Sequence, residues 1–177
     1  MNPKPLTFKG FPHFKPNLTP KQVIQKGSFG GTYFRDIKSS VTNKKYKDAW
    51  KEYPKSWFAG KVVNKKFDDY SKQENKYNVK VGTTLEFWES KDWIRAQDPY
   101  GWFQWYCRFY RGRRSDDDER QIKRYNNMRR FKGPLIKKIN INGSSYNDET
   151  ISPRIRQTLL HWAYELTEID YNNNAQT

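Results

Sequence analysis

The sequence predicts a helix-dominated α+β fold with a small sheet and an extended N-terminal arm. Three observations carry that expectation. Thr19-Pro20, Asp98-Pro99 and Ser152-Pro153 each set a capping residue before a proline, the grammar of a helix start. The run Ser115-Asp116-Asp117-Asp118-Glu119 marks a fourth start, since carboxylates suit the positive end of the helix dipole. Only short stretches alternate as strands do. The expected organisation is an arm over 1–18, one compact unit over 19–171 and a frayed Asn-rich tail over 172–177.

The arm is rich in Pro and Phe, and Phe8, Phe11 and Phe14 are expected to pack on the body. Thr19 should cap a short helix running to Ile24 and stopped at Gly27. The stretch from Gly27 to Thr32 looks like a phosphate loop, but it lacks the Gly-Lys-Ser/Thr ending, so it reads as a turn or a close backbone approach. Thr32–Ile37 and Tyr77–Val81 are candidate strands, Tyr46–Tyr53 and Thr84–Asp92 candidate helices, and 64–77 an exposed loop. Asp98 should start a helix reaching about Tyr110 and stopped by Gly112. The acidic start should lead a helix to about Arg130, with Gly133-Pro134 ending it and Leu135–Ile141 forming a strand before an Asn142-Gly143 turn. The last helix is expected from Pro153 to about Thr167.

Composition narrows the function classes. Lys and Arg number 34 against 19 Asp and Glu, a net charge of +15, which suggests a polyanionic partner, nucleic acid first. Lysine supplies 18 of the 20 basic residues before Asp98, whereas arginine supplies 10 of the 14 after it. Arginine's planar fork grips phosphate and carboxylate in a bidentate way, so the second half carries the placed charges. The single cysteine, Cys107, forms no internal disulfide and points to a reducing, intracellular setting. No apolar run approaches the length of a membrane span, so no membrane partner is expected. With no metal-ligand spacing, phosphate loop or recognisable nucleophile, neither metal nor cofactor is expected. Oligomeric state is left open.

In the stretch DPYGWFQWYCRFYRGRRSDDDER (98–120), the aromatic residues cover most of a helix and read as core, with Cys107 an inert thiol among them. Gln104, Arg108 and Arg111 form the remaining polar stripe, which runs into Arg113 and Arg114. The two helices and their Gly turn outline a helix-turn-helix, but a recognition helix opening on four carboxylates would be repelled by a duplex. Those carboxylates also fit helical pairing, Asp116 with Arg120 and Glu119 with Lys123, or a metal held beside a phosphate. Arg108 to Lys138 holds twelve basic and four acidic residues, the strongest candidate phosphate surface, with Arg129, Arg130 and Lys132 at the end of its helix. On the final helix Arg154, Gln157, His161 and Tyr164 share a polar face. His161 is the one plausible general base besides the carboxylates, while His13 sits in the arm.

The segments GSFGGTYFRDIKSS (27–40) and DPYGWFQWYCRFYRGRRSDDDERQIKRY (98–125) resemble an uncharacterised family, a domain of unknown function, from plants, algae, fungi, large DNA viruses and phages. The resemblance spans roughly residues 11–170. It implies a single intracellular domain and favours a DNA- or virion-related role, without bringing an activity or catalytic residues.

The function expected from the sequence is binding of DNA or RNA through an arginine-rich surface, with Gln104, Arg108, Arg111, Arg113, Arg114, Arg120, Arg124 and Arg154 as contact residues. Two alternatives stand beside it. One is an enzyme on a phosphorylated or nucleic-acid substrate, using the arginines as an anion clamp and Asp116, Asp117, Glu119 or His161 for proton transfer. The other is a structural virion or interaction protein with a basic face.

Overall fold

A computed structural model describes residues 2–64 and 66–175. Helices dominate: α1 (Pro20–Gln25), α2 (Leu85–Ser90), α3 (Trp102–Tyr110), α4 (Asp118–Arg129), α5 (Lys132–Asn142), α6 (Pro153–His161) and α7 (Glu168–Ala175). The sheet is one short antiparallel pair, β1 (Ile37–Lys38) on β2 (Lys45–Tyr46), with Ile37 opposite Tyr46. The helix-dominated α+β expectation therefore holds. Among the described residues, no helix is long and apolar enough to cross a membrane.

The core is built around α3. Trp105, Tyr106, Cys107 and Phe109 are fully buried, and burial pushes the Cys107 thiol's pKa up, so it stays a neutral core side chain. The N-terminal arm forms part of this core. Phe14 lies 5.0–5.7 Å from the rings of Trp105, Tyr106, Phe109 and Tyr125, mostly edge-on, the arrangement that aromatic quadrupoles favour. Backbone carbonyls hold the arm in place: Tyr106 donates to Leu18 O at 2.6 Å and Tyr125 to Lys15 O at 3.0 Å. A smaller cluster of Leu135, Ile136, Ile139, Leu159, Tyr164 and Leu166 joins α5, α6 and the approach to α7.

The start of α3 lies three residues later than Asp98-Pro99 suggests. Its cap is Gly101, whose φ of 97° and ψ of −156° belong to glycine, and no side chain of that residue serves the helix. A distant residue does. The Tyr33 hydroxyl accepts from Gln104 N at 2.9 Å and donates to Tyr100 O at 2.8 Å, while Gln104 Oε1 accepts from Tyr100 N at 3.0 Å. Tyr100 in turn donates to Arg35 O at 2.7 Å. The two motif segments are thus bonded to each other, with Tyr33 satisfying one of the donors that a helix start leaves open. The turn before it rests on Gly27, where a Cβ would stand 1.5 Å from Glu74 O. Close approach, not phosphate binding, accounts for that glycine.

Several expected elements differ. Residues 132–142 form helix α5 rather than a stop and a strand, because Pro134 falls in the first turn, where a missing N–H costs nothing. Leu135, Ile136 and Ile139 then share a helical face. Among the described residues, the stretch Tyr77–Val81 has no strand partner: the Asn75 side chain takes both Val79 N and Val79 O. Residues 64–77 hold two short 3-10 turns and bury Asn75 and Tyr77, so they are not simply an exposed loop. Of Tyr46–Tyr53, only Ala49–Glu52 is helical, as a 3-10 turn. Helix α6 ends at His161 because Ala163 turns left-handed (φ 56°), which gives its carbonyl to Asn17 N and Leu18 N of the arm. The tail expected to fray is helical through Ala175, and the last two residues lie outside the described residues.

Candidate functional site

Three of the arginines expected to contact phosphate, Arg108, Arg113 and Arg120, are held by carboxylates. Asp98 is fully buried (0 %) and accepts from Arg108 Nη1 at 2.9 Å and from both terminal nitrogens of Arg113 at 2.7 and 2.6 Å. Arg108 also makes a two-point contact with Glu52, both bonds 2.8 Å. Arg111 donates to Glu52 O and lies over the Tyr53 ring, 5.9 Å away. Arg114 stacks on Phe109 at 3.8 Å and donates to its carbonyl. Gln104, expected on the polar stripe, is buried in the capping network and reaches no surface ligand. This set fastens the α3–α4 loop; Arg111 and Arg114 stay exposed, while Arg108 and Arg113 already have their anions.

The proposed acid–base groups do not meet at one site. Asp117 pairs with Arg120 through two bonds of 2.5 and 2.9 Å, so Arg120 binds three residues back rather than to Asp116. Asp118 is buried beneath Trp105 Nε1 (2.8 Å) and caps Ser115 N (2.9 Å). Asp116 and Glu119 are exposed, and among the described residues no ion pair joins Glu119 to Lys123. Among the described residues, no three His, Cys, Asp or Glu side chains gather as a metal site requires. Arg154 is exposed on α6 and enters no ion pair among the described residues.

His161 and Arg124 do come together, in a cleft of about 400 Å³ between α2, α4 and α6. Its walls are largely aromatic, with Phe29, Phe87, Trp88, Trp93, Trp102 and Trp162 among them. His161 Nε2 lies 2.8 Å from Ser28 O and must donate to that carbonyl, which leaves Nδ1 as the bare acceptor. Burial holds its pKa down to about 4, so the ring is neutral near pH 7. The Arg124 guanidinium sits between Trp93 (5.6 Å) and Trp162 (5.5 Å). Burial, helped by the like charge of Arg120, pulls its pKa down to about 10. It remains charged, yet among the described residues no carboxylate pairs with it.

On the other side of α4 lies an open groove of about 530 Å³ lined by Pro12, His13, Lys15, Asn126, Arg129, Arg130 and Lys132. The arm delivers Lys15 and His13, and the end of α4 with the start of α5 delivers the rest. Among the described residues, none of its four cations enters an ion pair. Arg129 lies over the Tyr164 ring at 5.9 Å. Burial lowers the pKa of Lys132, with Asp170 opposing and Arg129 adding to the shift. Sequence reasoning placed Arg129, Arg130 and Lys132 at a helix end, where cations suit the dipole. It had no signal for Lys15, which reaches them only through the seating of Phe14 and the Tyr125 bond. Trp93 and Trp162, 69 positions apart, were likewise without a local mark.

Comparison with protein-family models, with curated proteins and with solved structures gives no match, so the chemistry of this site rests on its own geometry.

Proposed function

We propose that this protein binds nucleic acid, with Lys15, Arg129, Arg130 and Lys132 as the phosphate contacts. The observation that carries the reading is their convergence on one open groove with no ion pair to any of them among the described residues, in a chain of net charge +15. It relocates the contact surface expected from the sequence, from the α3–α4 loop to the C-terminal end of α4. Arg108, Arg113 and Arg120 would have to break bonds to Asp98, Glu52 or Asp117 before taking a phosphate, whereas the groove cations would break no ion pair among the described residues.

The test is fluorescence anisotropy of a labelled oligonucleotide across a salt series. Four phosphate contacts on a single strand give a slope of log K against log salt of about −3. Affinity that is unchanged between low and high salt would refute the reading.

A further inference from the structure

The groove and the aromatic cleft flank the same helix. At ~100° per residue, Arg124, Asn127 and Met128 fall on one side of α4, and Asn126, Arg129 and Arg130 on the other. The exposed side chains of Lys123, Asn127 and Arg130 form the ridge between them. A helix is only ~10–12 Å across, so a chain lying in the groove can cross this ridge into the cleft.

Building on the phosphate-binding reading above, we propose that the cleft receives an unstacked base of a single strand whose phosphates occupy the groove, which makes the protein selective for single-stranded nucleic acid. Three features of the cleft suit a flat ring attached to an anionic backbone. First, its walls offer ring faces, and Trp93 is 38 % exposed at the mouth, although tryptophan is ordinarily well buried. Stacking on aromatic faces is how single strands are held without sequence readout. Second, Arg124 stands between Trp93 and Trp162 with both of its protein bonds made through Nη1, to Trp93 O at 3.3 Å and Gln121 Oε1 at 3.0 Å. Nε and Nη2 have no protein acceptor among the described residues, and a desolvated cation in an aromatic slot is suited to an entering anion or base oxygen. Third, the neutral His161 presents Nδ1 as an acceptor on the cleft wall, a partner for a base N–H. A duplex keeps its bases stacked inside and can offer only its phosphates.

Three labelled DNA probes of equal length test this with the unmodified protein: a single strand, the same strand made abasic, and the duplex. The intact strand should bind at least about fivefold more tightly than the abasic one, the lower end of what one stacked base contributes. Trp93→Ala should bring the intact strand down to the abasic level and leave duplex binding in place, since Trp93 touches none of the groove cations. Equal binding of intact and abasic strands by the unmodified protein overturns the inference while the groove reading stands. So does a Trp93→Ala effect of the same size on all three probes. Failure to bind any probe overturns the groove reading itself, and this inference with it.

Discussion

Replacing Asp98 by asparagine removes the one negative charge that Arg108 and Arg113 share. The carboxylate has no solvent exposure, and its three bonds of 2.6–2.9 Å are all charge-assisted. Breaking a buried pair from one side costs about 3–5 kcal/mol, because the remaining cation is left desolvated. The two arginine side chains keep 23 % and 28 % of their exposure, so water recovers part of that loss, and asparagine retains one acceptor oxygen. A destabilisation of about 3 kcal/mol follows, a large share of the ~5–15 kcal/mol typical of folded proteins. For a chain of 177 residues it corresponds to a fall in Tm of roughly 6–12 °C. Urea unfolding followed by tryptophan fluorescence measures it, with Glu52→Gln as the comparison. Glu52 is 38 % exposed and grips Arg108 from the solvent side, so its loss should cost under about 1 kcal/mol. A change below about 1 kcal/mol for Asp98→Asn, or an equal cost for Glu52→Gln, would refute the claim that these arginines serve the fold.

Tyr33→Phe should cost about 2 kcal/mol in the same assay, since it orphans Gln104 N and Tyr100 O in a buried setting; a neutral result would deny Tyr33 its capping role. His161 makes stability pH-dependent. Its folded pKa of about 4 lies below the ordinary value of ~6.5, so its neutral form is favoured in the fold. The stabilisation is complete above ~6.5 and is lost as pH falls from there toward 4, by at most ~3 kcal/mol. His161→Gln should flatten the stability–pH curve in that window, and an unchanged curve would show that the ring is already solvated.

What could be read in the sequence divides along the reach of the signal. Helix starts written in adjacent residues were legible: Thr19 forms a full capping box with Gln22, and Thr84 caps α2. Asp98-Pro99 carried the same wording, but Asp98 is claimed by Arg113, fifteen positions on, and the helix waits for Gly101. Pro134 read as a stop because sequence alone does not say that it falls in a first turn. The candidate site follows the same rule. The cations at the end of α4 stood out by density, and Arg124 and His161 were each singled out. Their meeting in one cleft, and the delivery of Lys15 by a fold of the arm, are products of packing between segments more than a hundred residues apart in the latter case. The density of arginine was a sound signal of charge but a poor guide to which charges are free, because the acids that neutralise Arg108 and Arg113 are assigned only by the fold.

The most direct test of the central claim compares the salt slope of single-strand binding for Arg129→Ala/Arg130→Ala and for Arg111→Ala. The groove account predicts that the double variant loses affinity and flattens the slope by about 1.4, two contacts at ~0.7 each, while Arg111→Ala leaves the slope unchanged. A slope unaltered in the double variant but flattened by Arg111→Ala would contradict it and return the phosphate contacts to the α3–α4 loop.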